Sequence, residues 1–250
     1  MIPFVSVRLE EPPISEARGR RIRIAVLDSG VNRANPHVGN IEGGFSIGLF
    51  GEKGEDVTDR LGHGTAVVAA IQEKAPHAEI LVLRIFADEL STTVRGLAGA
   101  LESAVEAGVH LVNLSLGTPG TGQVAMLLNV VRRAVAAGVL VVSPREHRGR
   151  RWWPGSFPGT VGVFLDHSCP RDEIRMIEGP EGEPVFRASG LPRPIPGIPA
   201  DRNLSGISFA AANVTGVLAR LLEIHPGVEK VADLTAVIGG GGSGAPKRGE

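Results

Sequence analysis

Residues 22–30 read Ile-Arg-Ile-Ala-Val-Leu-Asp-Ser-Gly (IRIAVLDSG). From Ile22 to Leu27 nearly every position is apolar, where a half-exposed strand would alternate. Such a run fits a short strand buried on both faces, as in parallel sheets. It stops at a turn signal, Asp28-Ser29-Gly30. The pattern recurs downstream. Ile80 to Phe86 (ILVLRIF), Val109 to Leu116 (VHLVNLSL), Val139 to Val142 and Val161 to Leu165 read as further buried strands. Ala66 to Lys74, Thr92 to Ala107 and Val124 to Ala137 read as helices between them. In the second, Leu97, Ala100, Leu101, Ala104 and Val105 share one face. This β-α-β-α order predicts an α/β fold with a mostly parallel central sheet flanked by helices. Ser208 to Ile224 reads as a small-residue helix that stops before His225-Pro226.

Other segments lack this regularity. Residues 1–21 form an N-terminal arm, broken by Pro12-Pro13. Residues 42–62 read as a loop rich in Gly and charge. Residues 144–160 read as a basic loop, and residues 170–200 as a proline-rich excursion with room for a hairpin. Residues 239–250 are Gly-rich and are expected to be a disordered tail. The expected division is thus an arm (1–21), one domain (22–238) and a tail (239–250).

Composition excludes several classes. The 250 residues are 42% hydrophobic and 21% charged, enough apolar mass for a sizeable core. A formal net charge of −1 gives no electrostatic reason to expect nucleic acid as a partner. With eight Phe, two Trp and no Tyr, base-stacking platforms are not expected either. The single Cys, Cys169, excludes an internal disulfide framework and a cysteine-rich zinc site. No apolar run reaches the roughly 18 residues of a membrane span, and the N-terminus carries no visible signal peptide. A cytoplasmic location is the expectation, with no membrane partner and the oligomeric state left open.

Three segments combine turn glycines with a side chain able to do chemistry. Asp28 ends the first strand, and ligands of open α/β sheets bind beyond the carboxyl ends of strands. His63 lies between Gly62 and Gly64 at a helix start. Ser208 opens a helix after Gly206. Each alone reads as a cap or turn residue. Together they fit one machine: the Asp orients the imidazole, the imidazole takes the serine proton, and the serine oxygen attacks a carbonyl.

The segments VLDSG, GHGTAVVAAI, NLSLG and SGISFAAANVTG resemble the four landmark motifs of the subtilisin-like serine peptidases, over roughly residues 22–225. The resemblance implies a subtilisin-like three-layer fold and a serine endopeptidase that cleaves protein or peptide substrates, with Asp28, His63 and Ser208 as its triad. It implies that Ser115, Leu116 and Gly117 pair with substrate backbone, with Ser143, Pro144 and Arg145 on the opposite side. It requires no cofactor, though many subtilases bind calcium.

The sequence also departs from the family pattern. Ala66 stands where the His motif usually has a second His, and Phe209 follows the nucleophile where the family usually has Met. The asparagine that normally follows the Val-rich strand and stabilises the oxyanion is missing. Counting from Gly138, His147 occupies that place, and no Asn occurs between Asn129 and Asn203. The expected oxyanion donors are therefore the Ser208 backbone and His147, with Arg145 the alternative. Rival readings are a pseudo-peptidase that grips extended peptides without cutting them, and a serine esterase.

Further expectations are weaker in pattern. Glu52, Glu55, Asp56 and Asp59 form an acidic loop that reads better as solvated than as a calcium site. Asp166, His167, Cys169 and Asp172 match no zinc spacing, so no metal site is assigned. Trp152-Trp153 either walls a substrate pocket or packs beneath its own loop. Met1 to Val7 is read as a segment lying across the cleft. Arg145, Arg148, Arg150 and Arg151 are read as a positive rim beside it.

Overall fold

The structure is a computed structural model, described for residues 3–120, 122, 124–199 and 202–239. Its centre is the strand read first, β2 (Arg23–Asp28), buried along almost its whole length. The other strands are β1 (Val5–Arg8), β3 (Ile41–Ile47), β4 (Lys53–Gly54), β5 (Glu79–Arg84), β6 (Leu111–Leu114), β7 (Leu140–Pro144), β8 (Glu146–His147), β9 (Arg150–Arg151), β10 (Val161–Leu165), β11 (Glu173–Glu178) and β12 (Pro184–Ala188). The helices are α1 (His63–Lys74), α2 (Val94–Glu106), α3 (Val124–Ala136), α4 (Ile207–Ile224) and α5 (Val231–Gly239). Ten strands form one sheet in the order β1-β11-β12-β10-β7-β6-β2-β5-β3-β4. From β3 across to β12 the neighbours run parallel. The pairings of β4, β11 and β1 are antiparallel.

Strand alternation makes the layers. Ile24 and Val26 of β2 enter one core with α1, α4 and α5, whereas Ala25 and Leu27 enter a second core with α2 and α3. Continuing that alternation places Asp28 on the α1/α4 face. The same rule works in β6: Leu111 joins the α4 side, Val112 and Leu114 the other, so Asn113 faces α4. The chain adds β5 on one side of β2 and β6 on the other. The crevice beyond the carboxyl ends of β2 and β6 is thus a topological switch point, where such sheets bind ligands.

Several expectations need correction. Residues 42–62 are not all loop: β3 extends the parallel sheet, since Phe45 and Ile47 have apolar partners and two glycines hide the strand signal. The excursion 170–200 does supply the expected hairpin, β11–β12, whereas the basic loop is not all loop and supplies a small separate hairpin, β8–β9. The described part of the arm does not lie across the cleft. Val5–Arg8 pairs with β11 at the sheet edge, where Ser6 Oγ donates to Glu173 Oε1 and Arg8 Nε to Glu173 Oε2. Met1 and Ile2, and residues 240–250 of the expected tail, lie outside the described residues. Helix α4 is long and apolar enough to cross a membrane, but its window is 83% buried between the sheet and α1.

Candidate active site

The carboxyl end of β2 delivers Asp28, fully buried. Its Oδ1 accepts the Ser29 backbone N–H at 2.7 Å and is 2.7 Å from His63 Nδ1. Its Oδ2 has no hydrogen-bond partner. The buried carboxylate is therefore held through Oδ1 alone, by Ser29 and His63. The pairing places the Nδ1 proton toward Asp28 and leaves Nε2 to accept another. Burial acts to lower the His63 pKa. The hydrogen bond that His63 donates to Asp28, the charge of Asp28 and that of Asp59 outweigh burial, and the imidazole is held above its ordinary value.

Helix α1 presents His63 through an anchor that sequence reasoning missed. The first N–H groups of a helix lack partners within it, and Gly62 supplies no side-chain cap. Asp59 does so from the preceding loop. Its Oδ1 accepts from Gly62 N–H at 2.8 Å, and its Oδ2 from Thr65 N–H at 2.8 Å and Thr65 Oγ1 at 2.6 Å. Ser29 Oγ donates to Asp59 Oδ1 at 2.8 Å and accepts from Gly64 N–H at 2.9 Å. The loop from Asp28 and the loop before α1 are thus tied together around His63. The spacing of Asp59 from the helix start was the available signal.

Helix α4 presents Ser208. The N-cap is Gly206, without a side-chain cap, so the Ser208 hydroxyl does not cap its own helix. Its Oγ donates to the Ser115 carbonyl at 2.9 Å. Among the described residues no hydrogen bond joins Ser208 Oγ to His63, and the Ser208 N–H has no acceptor. The next residue, Phe209, packs its ring 5.6 Å from the His63 ring. Behind the site, Asn113 Nδ2 donates to Ser115 Oγ and Thr215 Oγ1 donates to Asn113 Oδ1, each at 2.9 Å. These fully buried groups lock β6 to α4, a link the sequence did not disclose.

The two expected substrate segments lie side by side. Ser143 Oγ donates to the Leu116 carbonyl at 3.2 Å, and Pro144 pairs with Val163 in the β7–β10 ladder. Trp152 N–H donates to the Arg145 carbonyl at 2.8 Å, and Thr118 and Trp153 exchange both backbone bonds at 2.9 Å. Trp152 also lies against Gly117: a Cβ there would fall 2.7 Å from indole Cε3, so only glycine fits. The tryptophans therefore line the segment rather than merely filling their own loop. A cavity of about 210 Å³ lies beyond Gly117, lined by Phe86, Leu90, Leu97 and Leu116 together with Thr92 and Thr118. A second cavity, about 270 Å³, lies on the α1 side, lined by Asn32, His37, Thr65 and Arg193.

Other expected residues fall elsewhere. Arg145 is no oxyanion donor and no rim charge: it is buried, and its guanidinium is committed to Glu183 in the β11–β12 turn. His147 sits on the β8–β9 hairpin with its ring 5.0 Å from that of Trp152. Arg148, Arg150 and Arg151 are exposed, and Arg151 Nη2 is 3.6 Å from Glu181.

Three of the four carboxylates of the acidic loop already serve the chain. Asp56 is drawn to about 2, chiefly by the Thr58 hydrogen bonds, and also pairs with Arg60 and Arg84. Asp59 is used as above, and Glu52 accepts from Phe50 N–H. Near Cys169, Asp166 is bonded to Ser168 and Arg175, and burial pushes the thiol up to about 12.

Comparison with known proteins places this arrangement. The 25%-identical Subtilisin E of Bacillus subtilis (strain 168) aligns over 242 residues, 90% of this chain and 62% of that protein. M-protease of Shouchella clausii (strain KSM-K16) is 30% identical over 248 residues, 90% of this chain and 60% of that protein. Alkaline protease of Alkalihalobacillus alcalophilus is 36% identical over 231 residues, covering 86% and 56% respectively. The chain thus spans less than two thirds of these relatives' length. A cold adapted subtilisin-like serine proteinase of known structure superposes with a TM-score of 0.69 at 23% identity, over 88% of this chain and 81% of that one, so the fold is shared. The Subtilase family model matches residues 19–143, half of the chain, including the Asp28 and His63 segments; the chain belongs to the subtilase family.

Proposed function

We propose that this protein is a serine endopeptidase in which Ser208 is the nucleophile, His63 the base and Asp28 the group that orients it. The observation that carries this reading is the buried Asp28–His63 pair at 2.7 Å beside an uncapped serine at the start of α4. The relay requires the Ser208 hydroxyl to turn from the Ser115 carbonyl to His63 Nε2. Oγ then bonds to the peptide carbonyl carbon as Nε2 takes its proton. The C–N bond breaks as Nε2 returns that proton to the departing amine. Water hydrolyses the ester by the same relay. The Ser208 N–H at the helix start faces the developing oxyanion, and His147 is the second donor.

Cleavage within a chain is favoured by the room on both flanks. The cavity of about 210 Å³ beside Gly117 lies on one side and the cavity of about 270 Å³ beside Thr65 on the other. A fluorophosphonate probe tests the reading. Covalent labelling that disappears in Ser208→Ala supports it. The contact of Ser208 Oγ with Ser115 favours the rival peptide-gripping module, and peptide binding without any labelling would establish that rival instead.

A further inference from the structure

We propose that Trp152 restricts this site to glycine or alanine at the residue whose carbonyl Ser208 attacks. The inference rests on the peptidase reading and deepens it. In the structure the Ser115 carbonyl accepts the Ser208 hydroxyl at 2.9 Å. Acylation removes that hydrogen, and the carbonyl then needs another donor. The nearest is the amide N–H of the acyl residue itself, three bonds from Oγ. Forming that hydrogen bond lays the acyl residue along Ser115-Leu116-Gly117 and turns its side chain into the space between this segment and Ser143–His147.

That space is filled. The Trp152 indole and Cβ press on Gly117. Its backbone N–H is held by the Arg145 carbonyl, and its ring packs at a tilt against His147. Trp153 is fastened to Thr118 by two backbone bonds, so the backbone that carries the indole is fixed beside this segment. Arg145 in turn is anchored by Glu183. The indole is thus held from both segments, and a benzyl or isobutyl group would have to displace it. Side chains further from the bond meet no such obstacle, because the cavity of about 210 Å³ opens beyond Gly117.

The test compares peptides identical except for Gly, Ala, Leu or Phe at the acyl position. For the unmodified protein we expect kcat/KM at least tenfold higher with Gly or Ala than with Leu or Phe. In Trp152→Ala the order should reverse, with Trp152→Leu between; melting curves report whether each variant folds. Binding is measured in parallel with Ser208→Ala and product peptides ending in Gly or Phe. Tighter binding of the Gly-ended peptide, lost in Ser208→Ala/Trp152→Ala, supports the proposal even if no turnover or probe labelling occurs, which would count only against the peptidase reading. Equal or better cleavage or binding of Phe by the unmodified protein overturns it, whether or not the variants fold. So does an unchanged preference in folded Trp152→Ala, or no affinity for either peptide in the absence of turnover.

Discussion

His63 and Asp28 form a pair whose chemistry is set by a single 2.7 Å contact and complete burial of the acid. A base must be neutral to take a proton. Because the imidazole is held above its ordinary 6.5, the acid limb of kcat/KM is expected above that pH. Asp28→Asn should move the limb down and lower kcat, which a pH–rate profile reads. The stability sign is opposite. Below about 6.5 His63 is protonated in both folded and unfolded chains, and the pairing contributes fully. That contribution is lost as pH rises through the raised folded value. His147 makes a separate prediction. Removing one oxyanion donor from a subtilisin lowers kcat by about 10²–10³. His147→Ala should lower kcat within that range with little change in KM; unchanged kcat would leave the Ser208 N–H as the sole donor.

Between elements, the decisive joint is α4 with its neighbours. Asn113 of β6 is fully buried and bonds both Thr215 and Ser115, so it sets where α4, which carries Ser208, meets the segment after β6. Asn113→Ala removes the side chain that joins Thr215 to Ser115, although Thr215 Oγ1 keeps the Ala211 carbonyl and Ser115 Oγ the Ser208 carbonyl as partners. At about 1 kcal/mol for each of the two lost hydrogen bonds, the melting temperature should fall, and kcat with it. A variant that melts like the original protein would show that the joint is not needed. Against α1, Gly216 plays a different part. A Cβ there would lie 2.8 Å from Lys74 Cβ and 3.0 Å from the Ile71 carbonyl. Overpacking such a contact costs about 1–3 kcal/mol, so Gly216→Val should destabilise the fold and disturb the spacing of His63 and Ser208.

Across the whole molecule, the arm and the excursion form a second edge to the sheet. The arm covers β11, and its Arg8 and Ser6 meet the buried Glu173, which Arg175 also holds. Deleting residues 1–12 would uncover that edge. The expected result is a lower melting temperature and a greater tendency to aggregate, with activity per folded molecule unchanged. A rise in specific activity would instead return the arm to the cleft.

Much of this molecule was legible in its amino-acid order. Buried strands announce themselves as apolar runs, and Asp28, His63 and Ser208 stand beside turn glycines at the ends of regular segments. That follows because periodicity and turn chemistry are local. Strand β3 was hidden, because its glycines weaken the apolar signal that partners supply in space. The roles of Asp59, Asn113 and Glu183 depend on residues far along the chain and carry no local mark. Counting along the chain put Arg145 and His147 at the oxyanion. The tertiary structure alone sent Arg145 to Glu183 and laid Trp152 on Gly117, because a side chain's partner is chosen by packing across the sheet, not by its distance along the sequence.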